Sequence, residues 1–245
     1  MPRERLTRHE LKSQDEITSS LQRFTELLET RKKDVFVAVS AILVVIVVIV
    51  GWRAYSASRN AKASAQLAYA ITAFDDSNMK PEKARYEKAA AEAQKTIDSY
   101  GSTSAGVIAK YYLAMSQERL GDAAGAEKNM QDVVDHGDST IRGVAQFALA
   151  HIQAQHGGGA KAIETLTKLY GSDDYPKSAV AFDLAALYET SGNQEQAKQY
   201  YGKVITESPD SRFRQESEAA LKRMGATVPA PPAPPAPAAA PAPAK

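Results

Sequence analysis

The feature that most constrains this chain is an apolar run from Val35 to Trp52, VFVAVSAILVVIVVIVGW. These 18 residues carry no charge, and as an α-helix they would be about 27 Å long. That length nearly matches the roughly 30 Å hydrocarbon core of a bilayer. Basic residues flank the run, with Arg31 and Lys32 before it and Arg53 after it. The run therefore predicts one transmembrane helix over residues 35–52.

Two alternatives to a membrane anchor are a buried core element and a cleaved signal peptide. An apolar run of this length is hard to bury in a small soluble domain. A signal peptide usually has a short basic leader. Here the 34 preceding residues are nearly charge-balanced, with eight basic and seven acidic side chains. An uncleaved anchor is the better interpretation. The slight excess of basic residues before the span weakly favours a cytoplasmic N-terminus.

The leader, residues 1–34, is predicted to be a short cytoplasmic tail that contains an amphipathic helix. Ser13 and Glu16 have the spacing of a capping box, which satisfies free backbone N–H groups at a helix start. Apolar residues then recur at helical spacing, namely Ile17, Leu21, Phe24 and Leu28. Such a helix either lies on the lipid headgroups or docks a partner.

Beyond the span, residues 53–224 repeat a pattern of leucine, alanine and glycine. In each of three units a Leu-Ala pair precedes a glycine by seven residues, counted from the alanine, and a second alanine follows the glycine by five. The three glycines are 36 and 35 residues apart. The residues that define this register are Leu113, Ala114, Gly121, Ala126, Leu149, Ala150, Gly157, Ala162, Leu184, Ala185, Gly192 and Ala197.

This period predicts stacked helical hairpins. Leucine fills the space between two antiparallel helices, alanine lets their backbones approach, and glycine permits the tight turn. The pattern resembles tetratricopeptide repeats, although Lys110, Gln146 and Ala181 stand where an aromatic residue of the first helix is usual. The predicted fold class is all-α, a transmembrane helix followed by an α-solenoid of tetratricopeptide-like hairpins.

The ends of the repeat domain are also predicted. Leu67 and Ala68, with Ile71 and Phe74, suggest an earlier hairpin with a longer turn. Residues 211–224 form an amphipathic capping helix with Phe213, Ala220 and Leu221 facing inward. Residues 225–245 contain eight prolines and one charge, and predict an extended, disordered tail without a core of its own.

Candidate partner-binding residues follow from the solenoid geometry. In repeat solenoids the first helices of the hairpins line a concave surface that can hold an extended or helical peptide. Side chains of those helices that do not point at their own second helix are available for contact. On this basis Tyr112, Gln146 and Phe182 are the predicted partner-binding residues, with core packing as the alternative for each.

Catalytic chemistry is not indicated. The chain has no cysteine, and His151 and His156 are five residues apart, which does not place two ligands on one helical face. Gly157, Gly158 and Gly159 lack the lysine that ends a phosphate loop. The net charge of +1 gives no field that would attract nucleic acid. We therefore predict no catalytic, cofactor or metal site, no nucleic-acid or small-molecule ligand, and a non-enzymatic protein.

The order of these features resembles one bacterial family. Gly51, Trp52, Arg53 and Tyr55, followed by an alanine-rich helix through Leu67, Ala68 and Tyr69, are similar to the ancillary subunit of the Sec translocon, and the similarity extends from about Gln14 to Met224. The resemblance implies a single-pass inner-membrane protein with a cytoplasmic N-terminus and a periplasmic repeat domain. It also implies translocon subunits, a membrane-tethered periplasmic chaperone and exported polypeptides as partners. The proline-rich tail and the residues before Gln14 depart from the family pattern.

The residues leave three functions open. The first is a scaffold that assists proteins leaving the Sec channel. The second is a scaffold for cell-envelope or cell-division assembly, with the proline-rich tail reaching a wall component. The third is a regulatory subunit or cryptic enzyme, which the missing nucleophile and acid–base pair disfavour.

Overall fold

A computed structural model describes residues 32–230 of the chain. The predicted amphipathic helix of the leader and the prolines after residue 230 lie outside the described residues. Contacts divide the chain into two compact units between Ser58 and Arg59, and each unit is described by itself. The described residues contain helices and no strand, which confirms the all-α fold class.

Helix α1, Lys32–Asp75, is 44 residues long. It contains no proline, and Gly51 is its only glycine, so no residue interrupts the backbone hydrogen bonds. The large apolar side chains described between Phe36 and Val50 are exposed. Within the described part of the chain, α1 is the one helix long and apolar enough to cross a membrane.

The second unit continues from the C-terminal part of α1 through eight further helices. Four hairpins pair the end of α1 with α2, α3 with α4, α5 with α6, and α7 with α8, and α9 follows as a single helix. The bounds are α2 Glu82–Tyr100, α3 Ser104–Arg119, α4 Ala123–His136, α5 Ser139–Gln155, α6 Gly159–Tyr170, α7 Lys177–Thr190, α8 Gln194–Glu207 and α9 Arg214–Arg223. Below, α3, α5 and α7 are called first helices, and α4, α6 and α8 second helices.

The repeated glycines make the turns inside the hairpins. Gly121, Gly157 and Gly192 have φ of 86°, 80° and 80°, a region that residues with a Cβ rarely adopt. In each turn the next backbone N–H donates to the carbonyl five residues earlier, as in Asp122 N to Gln117 O at 2.8 Å. This hydrogen bond is that of a Schellman motif, which closes a helix C-terminus. Each of the three glycines thus lies in the turn between the two helices of its hairpin.

The alanines and leucines of the repeat register form the core. Every alanine of that register is at most 1% exposed, and the leucines are between 0% and 9% exposed. The position nine residues after each glycine holds Met130, Leu166 or Tyr201, all at most 3% exposed. Because alanine leaves the helix backbones close together, a larger residue there would separate the hairpins.

The first hairpin departs from the register. Leu67 is buried as predicted, but Ala68 is exposed, and the buried alanines described in α1 are Ala63, Ala70 and Ala73. No described hairpin precedes α1, so nothing in residues 32–230 covers the side that carries Ala68. Tyr69, next to it, is 64% exposed.

The C-terminal end is closed by α9 and by the segment that follows it. Ala220 and Leu221 are buried, as predicted, whereas Phe213 precedes the helix as its N-cap and is partly buried. Gly225 has φ of 66° and reverses the chain, and Ala226 N donates to Leu221 O at 2.9 Å. Val228 then packs against the core of the last two hairpins.

Candidate partner-binding groove

Two neighbouring first helices enclose a cavity. Its volume is about 320 Å³, and it lies between α3 and α5. Apolar side chains form much of its wall, including Met115 and Phe147, while Arg119, His151 and Gln155 supply hydrogen-bond donors. We call this cavity with its lining residues the first-helix groove. Four lining residues are apolar, and the other four are Glu118, Arg119, His151 and Gln155. A concave surface that combines apolar and hydrogen-bonding side chains can hold a polypeptide ligand.

A smaller cavity extends the first-helix groove towards α7. It has a volume of about 110 Å³, and Ala154, Asp183, Ala186 and Leu187 are among its lining residues. His151 lines both cavities. Its side chain therefore stands at the boundary between the part of the groove formed by α3 and α5 and the part formed by α5 and α7.

His151 and Asp183 connect two consecutive first helices. His151 Nε2 lies 2.8 Å from Asp183 Oδ2 without the angles of a hydrogen bond, and within residues 32–230 this buried oxygen has no hydrogen-bond partner. The close contact with Asp183 raises the pKa of His151 above its usual value, while partial burial opposes the rise. The pair is an ion pair when the imidazole is protonated. It therefore makes the seam between α5 and α7 sensitive to pH.

A loop residue packs a second aromatic ring against Phe147 of the first-helix groove. Tyr175, in the connection before α7, stacks on Phe147 with ring centroids 4.5 Å apart and an interplanar angle of 20°. The ring of Phe147 also meets His151 edge-on at 4.7 Å. Burial, with Asp183 nearby, raises the pKa of the Tyr175 hydroxyl, so this group is neutral around pH 7 and available as a donor.

A close backbone contact fixes this loop. Gly143 is buried at the start of α5, and a Cβ there would overlap the carbonyl oxygen of Asp174. Arg142 Nε donates to Asp174 Oδ2 at 2.8 Å. The missing side chain at Gly143 thus allows the loop to approach α5 and to place Tyr175 on Phe147.

The three residues predicted to bind a partner lie near the groove but line neither cavity. Tyr112 packs between Phe74 and Tyr111, with centroid distances of 5.5 and 5.6 Å. Phe182 stacks on Phe213 at 4.9 Å. Gln146 is partly exposed on α5. A role for these three residues in partner binding stays a prediction.

Phe147 and His151 line the groove but were not among the residues predicted to bind a partner. Phe147 lies two residues before the repeat leucine Leu149, and His151 lies two residues after it. Around Leu113 the same two positions hold Tyr111 and Met115, of which Met115 lines the cavity and Tyr111 does not. Spacing from the repeat leucine therefore identifies three of the lining residues but does not separate them from Tyr111.

Histidine and acidic side chains are the groups of this cysteine-free chain best suited to bind a metal ion. Between Lys32 and Ala230, no three histidine or acidic side chains come together in a geometry that could hold a metal ion. The prediction that the protein uses no metal or cofactor stays a prediction.

The geometry defines the class of protein. Antiparallel helical hairpins with glycine turns, alanine crossings and a groove along the first helices are typical of tetratricopeptide-like repeat proteins, which act as scaffolds for protein–protein interaction.

Comparison with known families agrees with this class. Residues 32–218 match the tetratricopeptide repeat-like domain family, and the chain belongs to that family. The chain is also similar to the crystal structure of MamA, at 20% identity and a TM-score of 0.47 over 60% of this chain and 82% of that one. No curated protein matches the chain.

Proposed function

We propose that this protein is a membrane-anchored scaffold that binds polypeptides in the first-helix groove and assists proteins leaving the Sec translocon. The observation that carries the proposal is the occurrence, in one chain, of a span-competent helix and a tetratricopeptide-like domain with an aromatic groove. Translocon subunits, a membrane-tethered periplasmic chaperone and exported chains are the proposed partners. The N-terminus is cytoplasmic, and the repeat domain is periplasmic.

The chemistry of the groove supports a polypeptide as the ligand. Phe147 and Met115 offer apolar surface to side chains, and Arg119, Gln155 and His151 can donate to backbone carbonyls. A chain emerging from a translocation channel has unpaired backbone groups and exposed apolar side chains. The groove offers hydrogen-bond donors to the backbone carbonyls of such a chain and apolar surface to its side chains.

Photo-crosslinking in living cells tests the partner. A photoreactive phenylalanine analogue replaces Gln155, which is exposed in the groove, or Lys168, which is exposed on the second helix α6. We expect translocon subunits or exported chains to be captured from position 155 and much less from position 168. Equal capture from both positions, or none from 155, would reject groove binding.

The same experiment separates the alternative function. Capture of envelope or cell-division assembly proteins without export components would identify a scaffold for those processes. Protease treatment of spheroplasts, with a tag placed after Gly225, tests the orientation. Digestion from outside is expected, and protection until lysis would reject the periplasmic assignment.

A further inference from the structure

Arg119 is shared by two cavities of the repeat domain. It lines the larger cavity of the first-helix groove, and it also lines a third cavity of about 360 Å³ between the start of α2 and the end of α3. Glu82, Lys83 and Tyr86 are the residues of α2 that line this third cavity. Arg119 therefore stands at the boundary of the groove towards α2, as His151 stands at its boundary towards α7.

The charged pairs at these two boundaries share one arrangement, in which the cation is the more exposed member. Glu118 Oε2 lies 3.3 Å from Arg119 Nε, and the side chain of Glu118 is 18% exposed whereas that of Arg119 is 53% exposed. In the pair of His151 with Asp183, the histidine side chain is again the more exposed one. A ligand in the groove therefore meets the two cationic side chains more than their carboxylate partners.

The guanidinium of Arg119 can bind a second carboxylate. Its contact with Glu118 is at Nε, and a guanidinium has five N–H donors in a planar fork, so its two terminal NH2 groups match a carboxylate end-on. The other guanidinium nearby is that of Arg85, which lies 4.6 Å from the centroid of the Tyr86 ring, where Arg119 lies at 6.0 Å. Arg85 donates to Glu82 at 2.9 Å, and the hydroxyl of Tyr86 donates to the same carboxylate at 3.1 Å. Arg119 is thus the guanidinium suited to a ligand.

Apolar surface lies next to Arg119 in the same cavity. Met115 precedes Arg119 by four residues on α3, so the two side chains share one face of the helix with Cβ atoms about 5–6 Å apart. Phe147 faces the same cavity from α5. In an extended polypeptide, side chains two residues apart point to the same side and are about 7 Å apart. A carboxylate side chain and a large apolar side chain at that spacing match the two kinds of surface.

We propose that the first-helix groove selects extended segments of partner polypeptides in which an acidic residue lies two residues from a large apolar residue. The carboxylate binds Arg119, and the apolar side chain packs on Met115 and Phe147. A lysine in place of the acidic residue is repelled by Arg119. The inference rests on the proposed function, and it adds which part of a partner polypeptide the groove binds.

Peptide binding to the full chain in phosphatidylcholine nanodiscs tests this selection without altering the protein. Three peptides with blocked ends and an uncharged fluorescent label differ only in the central residue of Phe-Ser-X-Ser-Leu, where X is Glu, Gln or Lys. Fluorescence anisotropy gives the Kd of each peptide. We expect the Glu peptide to bind about fivefold more tightly than the Gln peptide, as for an exposed ion pair, and the Lys peptide to bind most weakly. Equal Kd values for the three peptides, or no binding of any, would overturn the proposal.

Two substitutions assign the preference to Arg119. Arg119→Gln removes the guanidinium, and Lys168→Gln is the matched control because it removes the same charge from an exposed position on α6. Arg119→Gln should bring the Kd values of the Glu and Gln peptides within about twofold of each other, whereas Lys168→Gln should keep the fivefold difference. A preference that persists in Arg119→Gln, or that both variants lose equally, would contradict the assigned role of Arg119.

The crosslinking experiment from position 155 in living cells has an independent outcome. Capture of translocon subunits or exported chains, together with equal binding of the three peptides, would reject selection by charge and leave the proposed function standing. A preference for the Glu peptide without such capture would support the selection and reject the proposed function. Failure of this inference is therefore distinguishable from failure of the proposed function.

Discussion

Asp183→Asn removes the carboxylate that holds protonated His151 across the seam between α5 and α7. In the natural chain His151 Nε2 lies 2.8 Å from Asp183 Oδ2, and this contact raises the pKa of His151. Other charged or titratable groups near the seam are Glu118 and Arg119 on α3 and Tyr175 in the loop before α7. The substitution leaves those groups in place, so it isolates the histidine–aspartate pair.

The sign of the effect follows from linkage between protonation and folding. The pKa of His151 is higher in the folded chain than in the unfolded chain, so the protonated state stabilises the fold. The stabilisation is fully present below the unfolded value, near pH 6.5, and is lost as the pH rises through the higher folded value. The stability advantage of the natural chain over Asp183→Asn should therefore shrink between about pH 5.5 and pH 8.

The magnitude is limited by solvent. The His151 side chain is 49% exposed and that of Asp183 is 22% exposed, so water screens the pair. We take the upper end of the range for exposed ion pairs, about 1 kcal/mol. For a domain of this size, that free energy corresponds to a change in Tm of about 2–4 °C. Asp183→Asn should melt lower than the natural chain by this amount at pH 5.5 and by little at pH 8.

Thermal unfolding of the full chain in nanodiscs, followed by far-ultraviolet circular dichroism, measures this difference. His136→Gln serves as the control, because its side chain is 66% exposed and its loss should change stability by less than about 0.5 kcal/mol. Histidine-ring NMR titration provides the second assay, and Asp183→Asn should lower the midpoint of His151. An equal loss of Tm at both pH values, or an unmoved midpoint, would refute the reasoning.

Three further substitutions and one control substitution test the turns, the loop contact and the anchor. Gly192→Ala should lower the free energy of unfolding in denaturant by about 1 kcal/mol, because φ is positive there. The control is Gly159→Ala, in a helix with open space around it, which should leave stability unchanged or raise it by up to about 1 kcal/mol. Equal effects of the two substitutions would contradict the turn assignment. Gly143→Ala should cost about 1–3 kcal/mol, because the new Cβ overlaps the Asp174 carbonyl oxygen, and a neutral result would show that the loop can move away. Val45→Arg should raise the cost of membrane insertion by about 2.5–3.5 kcal/mol, seen as loss of carbonate-resistant membrane association; unchanged association would contradict the anchor.

The hairpins were predictable because their signals are local and repeat. Gly192 and its two equivalents mark turns that need a positive φ, and the alanines mark crossings where any larger residue would clash. Each signal is weak alone, but a spacing of 35 or 36 residues places all of them in one register. The register predicted the wrong position for Ala68 in the first hairpin, where this residue is exposed. Burial at that end depends on what packs against the hairpin in space.

The groove was harder to predict than the fold. Tyr112 and Phe182 carry the right chemistry, but Tyr112 meets Phe74 edge-on and Phe182 stacks on Phe213, and both of these partners lie outside the first helices. Choosing between the two faces of a first helix requires the crossing angle of its neighbours, which residue spacing does not specify. The placement of Tyr175 depends on a loop whose path is set by the contact between Gly143 and Asp174. That contact is not part of the repeat pattern, so the sequence period does not predict it.

The position of His151 determines how far a change in one hairpin can act on the groove. In a repeat solenoid each hairpin contacts only its neighbours, so a perturbation travels through successive interfaces. The last hairpin is connected to the larger cavity through α5, and His151 is the side chain of α5 that lines both cavities and lies against Asp183 of α7. We therefore expect protonation of this one imidazole to affect both the interface between the last two full hairpins and the surface around Phe147. Loss of the contact should alter ligand binding at the larger cavity even though Asp183 lies outside it.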